Sequence, residues 1–198
     1  RVRTMVVTDS KQAIQLRVTL MGVEPTIWRR VQVGSNTRLA ELNSIIQILM
    51  GWSNSCYHQF IAGDVRYGQP CEVGTPPSCR LKDDIETTLA DVVTKPGATF
   101  QYRYYKDEDS WRHLIETEKV FRPENGQQFP VVVDGKRNSR PEGCGGPWGY
   151  LAVLNALENP EKETFVEVMK QIPEDFDPEQ FDPDAKNRAL EPLRRPLT

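Results

Sequence analysis

The sequence predicts an α+β fold: a β-grasp (ubiquitin-like) mixed sheet around one helix, extended by a β-hairpin and closed by a C-terminal helical segment. Three observations predict it. Ile14, Leu16, Val18 and Leu20 alternate with Gln15, Arg17 and Thr19, the two-residue period of a half-buried strand. Between Leu39 and Met50 apolar side chains recur at helical spacing. From Thr99 to Phe121 aromatic and apolar residues alternate again, on both sides of a charged turn.

The first strand ends at a turn, Gly22 to Pro25, and Ile27 to Val33 return beside it as a hairpin. The parity of Ile27, Val31 and Val33 puts Arg29 on the apolar side unless a bulge intervenes. Thr37 is placed to cap the helix formed by Leu39, Leu42, Ile45, Ile46, Leu49 and Met50, which Gly51 stops. Tyr57 to Ile61 and Val65 to Tyr67 read as short strands around an Ala62-Gly63-Asp64 turn, and "FIAGDVRYG" followed by "TLADVV" has the rhythm of a ubiquitin-like domain. A polar loop follows from Gly68 to Lys82, then a helical turn at Thr88 to Val93. Phe100, Tyr102 and Tyr104 share one face of a strand that pairs with Trp111 to Phe121.

Pro130 to Val133 read as an edge strand, and beyond Arg140 the pattern becomes helical. Leu151, Leu154 and Leu157 line one stripe, Asn159-Pro160 breaks it, and Phe165, Met169 and Ile172 line a second. Asp177-Pro178-Glu179 and Asp182-Pro183-Asp184 each fit an N-cap, proline and acid at a helix start. The run "EDFDPEQFDPD" lacks the glycine and closing glutamate of a calcium loop, so its acids are read as caps.

The 25 basic and 28 acidic side chains leave a net charge of -3, which supplies no global field toward nucleic acid or an anionic surface. Four cysteines, Cys56, Cys71, Cys79 and Cys144, form no CxxC pair, and the N-terminus lacks the pattern of a signal peptide. Reduced thiols in the cytoplasm are expected, with no membrane partner. Residues 1–10 are expected to be disordered and 11–195 to form a single domain, with a β-rich core over 12–133 and a helical part over 141–195.

The stretch "PEGCGGPWGY", Pro141 to Tyr150, raises the question of a binding loop against a tight corner. The amides of Gly145 and Gly146 just ahead of Pro147 suit an anion at a helix start, with Trp111 and Trp148 as further ligand contacts. The structural alternative needs the glycines for positive φ and close packing, with Trp148 and Tyr150 anchoring the helix on the sheet. No P-loop ending is present.

His58 and His113, the two histidines of the chain, both fall on strands. With Cys56, Asp109 or a carboxylate near Glu116 they are the candidates for a zinc site or for acid-base catalysis, and Cys71 and Cys79 are candidates to join Cys56 in a thiolate site. No cofactor is firmly implied, and zinc is the metal such a donor set would take. Nucleophilic catalysis has no Gly-x-Ser-x-Gly elbow to rest on. Trp28, Arg30 and Arg103 belong to stretches where aromatic and basic residues interleave, as on sheets that bind single strands.

With "LRVTLMGVEPTIWRRVQV", "GWSNSCYHQF", "SWRHLIE" and "CGGPWGYLAVLNAL" in this order, the chain resembles the plasmid pRiA4b ORF-three-like family, which includes the TnpR passenger protein of a mycobacterial insertion element. The resemblance runs from Gln12 to Leu190. It implies an association with plasmids and mobile elements in some members, and no established activity. Three positions depart from the family pattern: "KDED" keeps only the last acid, Asp109, of an Asp-Phe-Gly-Asp turn, Ser139 replaces a frequent cysteine, and Cys56 replaces a frequent histidine.

The expected function is a non-enzymatic binding or adaptor module in mobile-element biology, its partner a protein or a small anionic ligand. One alternative is a metal-dependent hydrolase using His58 and His113. The other is a nucleic-acid-binding protein, which the net charge disfavours.

Overall fold

The computed structural model describes residues 11–68, 81–93, 95–106, 109–139, 141–162, 164–170 and 172–197. Residues 1–10, Cys71 and Cys79 lie outside them, and with them the expected disorder and the three-thiolate site.

Strands β1 (Ala13–Leu20) and β2 (Trp28–Gly34) form the first hairpin. Helix α1 (Leu39–Met50) follows, then β3 (Tyr57–Ala62), β4 (Val65–Tyr67) and the single turn α2 (Leu89–Val92). The second long hairpin is β5 (Thr99–Lys106) with β6 (Asp109–Phe121). After β7 (Gln128–Phe129) and β8 (Val131–Lys136) come α3 (Gly146–Glu158), α4 (Thr164–Met169) and α5 (Pro183–Leu190). A short β9 (Arg195–Pro196) pairs with β7.

The seven-stranded sheet has the order β4-β3-β5-β6-β1-β2-β8, and all six of its pairings are antiparallel. The expected mixed sheet is therefore corrected. β1 and β5 do run the same way, as a β-grasp would have them, but the thirteen residues of β6 insert between the two and turn one parallel pairing into two antiparallel ones. The sequence alternation of β6 marks it as a strand without saying which neighbours it takes.

One face of the sheet is buried. Leu16, Val18 and Leu20 of β1, Val31 and Val33 of β2, Phe60 of β3, Phe100, Tyr102 and Tyr104 of β5 and Trp111, His113 and Ile115 of β6 join α1 in a continuous core that extends to Leu190. Arg29 lies on this apolar side, 1% exposed, as the parity of β2 requires.

Local details depart from expectation where backbone geometry overrides residue type. Thr37 does not cap α1; the N-cap is Arg38, without a side-chain cap, and the Leu39 and Ala40 N–H groups donate instead to the carbonyls of Thr87 and Asp84. Gly51 closes α1 at φ 76°, as the sequence indicates. Asp182 caps α5 through the Asp184 and Ala185 N–H groups at 2.9 and 3.0 Å, whereas Asp177 only closes a turn onto the Glu179 N–H. In α3 the buried face is Gly146, Tyr150, Val153, Leu154 and Ala156, so Leu151 and Leu157 are not its centre.

Candidate functional site

Three of the motif stretches converge where α1 passes into β3. A buried polar network holds that connection: the Gln47 amide donates to the Tyr102 hydroxyl at 2.8 Å, the hydroxyl donates to Asn43 at 2.6 Å, and the Asn54 N–H donates to Gln47 at 3.1 Å. Asn54 itself sits at φ 56°. Its turn sends Ser55 and Cys56 toward β5. Trp52 fills the space behind them, its ring 5.4 Å from Tyr104 with planes 14° apart and 5.1 Å from Trp111.

The stretch after Ser139 closes the other side. Trp52 Nε1–H donates to the Ser139 carbonyl at 2.9 Å and Trp111 Nε1–H to the Glu142 carbonyl at 3.1 Å. One Glu142 carboxylate oxygen accepts the Ser53 N–H at 2.7 Å and the other accepts the Tyr104 hydroxyl. The Ser55 N–H donates to that same hydroxyl oxygen at 3.0 Å. Together these groups frame a hollow of about 250 Å³ lined by Ser53, Ser55, Cys56, Tyr104, Trp111 and Glu142.

Burial, followed by the hydrogen bonds to Glu142 and Cys56, pushes the Tyr104 phenol well above its ordinary range. The phenol stays protonated and donates. Glu142 has no ion-pair partner among the described residues, and its carboxylate stands beside aromatic walls.

The two candidate histidines do not meet. Both histidines belong to the inner sheet face, but β5 separates β3 from β6, two strand spacings of about 10 Å in total. His58 Nε2 is bonded to Asp84 at 2.6 Å, and Asp84 is fully buried with its second oxygen unpartnered. His113 is 0% exposed, 5.3 Å from the rings of both Trp52 and Tyr102, and neither ring nitrogen has a hydrogen-bond partner. Burial pushes it down to about 3, against an opposing pull from the Tyr102 backbone, and the nearby Arg29 charge acts in the same direction as burial. Such an imidazole is neutral at any working pH. The backbone of Asp109 opens β6 opposite Lys106, and its side chain lies outside the described ones. Among the described residues no three His, Cys, Asp or Glu side chains are grouped to hold a metal ion.

The ligand-contact candidates divide between two hollows. Trp111 belongs to the first. Gly145, Gly146 and Trp148 line a second, of about 480 Å³, together with Met21, Ser110 and Arg112. Gly145 and Gly146 adopt φ 93° and 65°, and a Cβ on Gly149 would lie 1.6 Å from the Cys144 carbonyl oxygen, so each glycine has a backbone reason to be there. Tyr150 is buried and donates to the Asn138 carbonyl at 2.6 Å, while Trp148 is 83% exposed and anchors nothing. The stretch from Glu142 to Trp148 is thus both a tight corner and the wall shared by two hollows.

On the outer sheet face the guanidinium groups of Arg17 and Arg30 lie 4.6 and 5.0 Å from the Trp28 ring. Arg30 is held by Glu118 at 2.6 and 2.8 Å and by Asp134 at 3.2 Å, so its charge is already answered. Arg103 stands on β5, opposite Arg112 and three strand spacings from β2, about 14 Å. The structure brings Trp28 and Arg30 together and leaves Arg103 apart.

Sequence reading passes over Trp52, Tyr104 and Glu142 as site residues. The signal was position: Trp52 and the serines lie in "GWSNSCYHQF" and Glu142 in "PEGCGGPWGY". Only the folded chain shows that these stretches face each other.

An antiparallel seven-stranded sheet with helices and a small aromatic hollow defines an α+β protein, and no described helix is long and apolar enough to cross a membrane. The model of the plasmid pRiA4b ORF-3-like proteins matches residues 12–185, and the chain belongs to that family. It is 36% identical over 159 residues to the uncharacterized protein y4hQ of Sinorhizobium fredii (strain NBRC 101917 / NGR234), covering 79% of each chain. It also resembles the crystal structure of MM3350, a protein of unknown function from Methanosarcina mazei Go1, with a TM-score of 0.77 and 28% identity over 89% of this chain and 98% of that one.

Proposed function

We propose that this chain is a non-enzymatic binding or adaptor module whose recognition site is the hollow framed by Tyr104, Trp111 and Glu142. The observation that carries the reading is the convergence there of three motif stretches on a preformed, hydrogen-bonded frame, while His58 and His113 lie on strands that β5 separates. The family's name supports a setting in plasmid or mobile-element biology. The strand order supports an expanded β-grasp, with β6 added between its central strands. A core continuous from Ile14 to Leu190 supports one domain over 11–195.

A fragment library screened by saturation-transfer NMR tests the site. Fragments are expected to bind the native chain and to be lost from Cys56→Phe, which fills the hollow, while circular dichroism is unchanged. Hits that persist in Cys56→Phe would place recognition elsewhere. Metal analysis of protein purified without chelator or nickel resin tests the hydrolase alternative: a full equivalent of zinc that vanishes in His58→Ala would replace the binding reading with it.

A further inference from the structure

We infer that the hollow at Tyr104, Trp111 and Glu142 takes a methylated ammonium group, a cation that carries no N–H donors to satisfy. The inference rests on the binding reading above and names its ligand class.

The chemistry follows from what the hollow has already satisfied. Each Glu142 carboxylate oxygen accepts one hydrogen bond from within the protein, from Ser53 N–H at 2.7 Å and from the Tyr104 hydroxyl. The Tyr104 oxygen in turn accepts from the Ser55 N–H at 3.0 Å. Trp111 Nε1–H is spent on the Glu142 carbonyl at 3.1 Å, and Ser53 and Ser55 share a hydroxyl bond at 2.8 Å. The frame asks a guest for few hydrogen bonds.

Two things remain unanswered. One is the negative charge of Glu142, for which no lysine or arginine forms an ion pair among the described residues. The other is the aromatic wall of Tyr104 and Trp111: Trp52 packs against both rings and they are only 1% and 2% exposed, so a small cation is attracted at the part of them that lines the hollow. A neutral guest would leave the charge unanswered. An anion would be repelled, and a primary ammonium would bring three donors to a carboxylate whose oxygens each already accept one hydrogen bond, leaving fewer acceptor sites there than donors to meet. A methylated ammonium brings charge and apolar surface together, and its head fits a space of about 250 Å³.

The test is a titration of the full chain followed by the indole Nε1–H resonance of Trp111 in ¹H–¹⁵N NMR. Three probes share one skeleton: choline, its neutral carbon isostere 3,3-dimethylbutan-1-ol, and ethanolamine. Choline is expected to shift the resonance in the millimolar range, with both other probes weaker by about tenfold or more. Glu142→Gln is expected to bring choline down to the level of the neutral isostere, and Cys56→Phe to abolish all binding. If Glu142→Gln does not fold, the order of the three probes on the native chain decides alone.

Equal binding of 3,3-dimethylbutan-1-ol and choline overturns the cation assignment and leaves the hollow standing as a binding site. Tighter binding of ethanolamine reassigns the site to primary ammonium groups and overturns the methylated class. No shift with any probe also overturns the inference; the binding reading itself falls only if the fragment screen is empty as well.

Discussion

Arg29 takes a guanidinium into the core with no carboxylate paired to it among the described residues. Its donors go instead to the carbonyls of Leu49 at 3.1 Å, Trp28 and Lys136 at 2.8 Å each, and to the Ser139 hydroxyl at 2.9 Å, with the Phe181 ring 4.3 Å away. Leu49 is in the last turn of α1, where free carbonyls and the helix dipole both favour a cation. Burial still lowers the group to about 9. Replacing Arg29 by Ala strands several buried acceptors, so urea unfolding is expected to show a loss of about 3 kcal/mol or more. Arg29→Lys is expected to lose nearly as much, because one ammonium cannot reach acceptors spread over three segments. His113 behaves in the opposite way. Its imidazole takes a proton below about 6.5 in the unfolded chain but only near 3 in the folded one, so the unfolded state binds more protons between these values. Stability is therefore expected to rise with pH across that window and to be about 2 kcal/mol lower at pH 5 than at neutrality. His113→Phe, which leaves no polar atom behind, should flatten this acid limb in urea titrations repeated over pH. The parity of β2 pointed Arg29 to the apolar side unless a bulge intervened, because strand alternation is a local rule, and the fold decided for burial. Its partners were not foretold, since all but the neighbouring Trp28 carbonyl come from α1, β8 and the segment after it.

The elements show how the ends of the sheet are protected. β8 is an edge strand, and α5 covers it through a side chain that imitates a neighbouring strand: Asn187 accepts the Val132 N–H and donates to the Val132 carbonyl, both at 2.9 Å. Lys186 reaches the Ile48 carbonyl at 3.0 Å, which ties α5 to α1 as well. Asn187→Ala frees one donor and one acceptor on that edge. The expected result is a loss of about 1 to 2 kcal/mol in urea unfolding and a greater tendency to self-associate in light scattering. In α3 the critical position is Gly149, because a Cβ there would meet the backbone of Cys144 and not a movable side chain. Gly149→Ala is expected to cost roughly 3 kcal/mol and to perturb the Trp111 indole resonance, since Glu142 belongs to the same turn. An unchanged resonance would mean that the turn shifts without carrying the hollow with it.

At the scale of the molecule, the outer sheet face carries Arg30, which is neutralised, and Arg103, which stands opposite Arg112. With a net charge of -3, binding to single-stranded DNA is expected to be absent at physiological salt in fluorescence anisotropy, and a tight, steeply salt-dependent signal would revive the nucleic-acid reading. Alternation in β1, β2, β5 and β6, the helical period of α1, its glycine stop and the Asp182 cap were all written in the sequence, because each depends on residues within a few positions of one another. The four motifs that carry the family resemblance were legible for the same reason, and the family match over 12–185 agrees with them. Strand order was not legible, since an alternating strand pairs equally well with several neighbours and β6 had to find β1 across all the elements from β2 to β5. The hollow was not legible either. Ser53 and Glu142 are 89 residues apart, and only the packing of Trp52 between Tyr104 and Trp111 brings them within 2.7 Å. By itself the sequence determined the long strands and α1 and, α3 excepted, which faces they bury, a matter of local period and hydrophobicity. Which segments meet was decided by tertiary structure alone, because contacts between distant parts of a chain depend on the shape of the whole core.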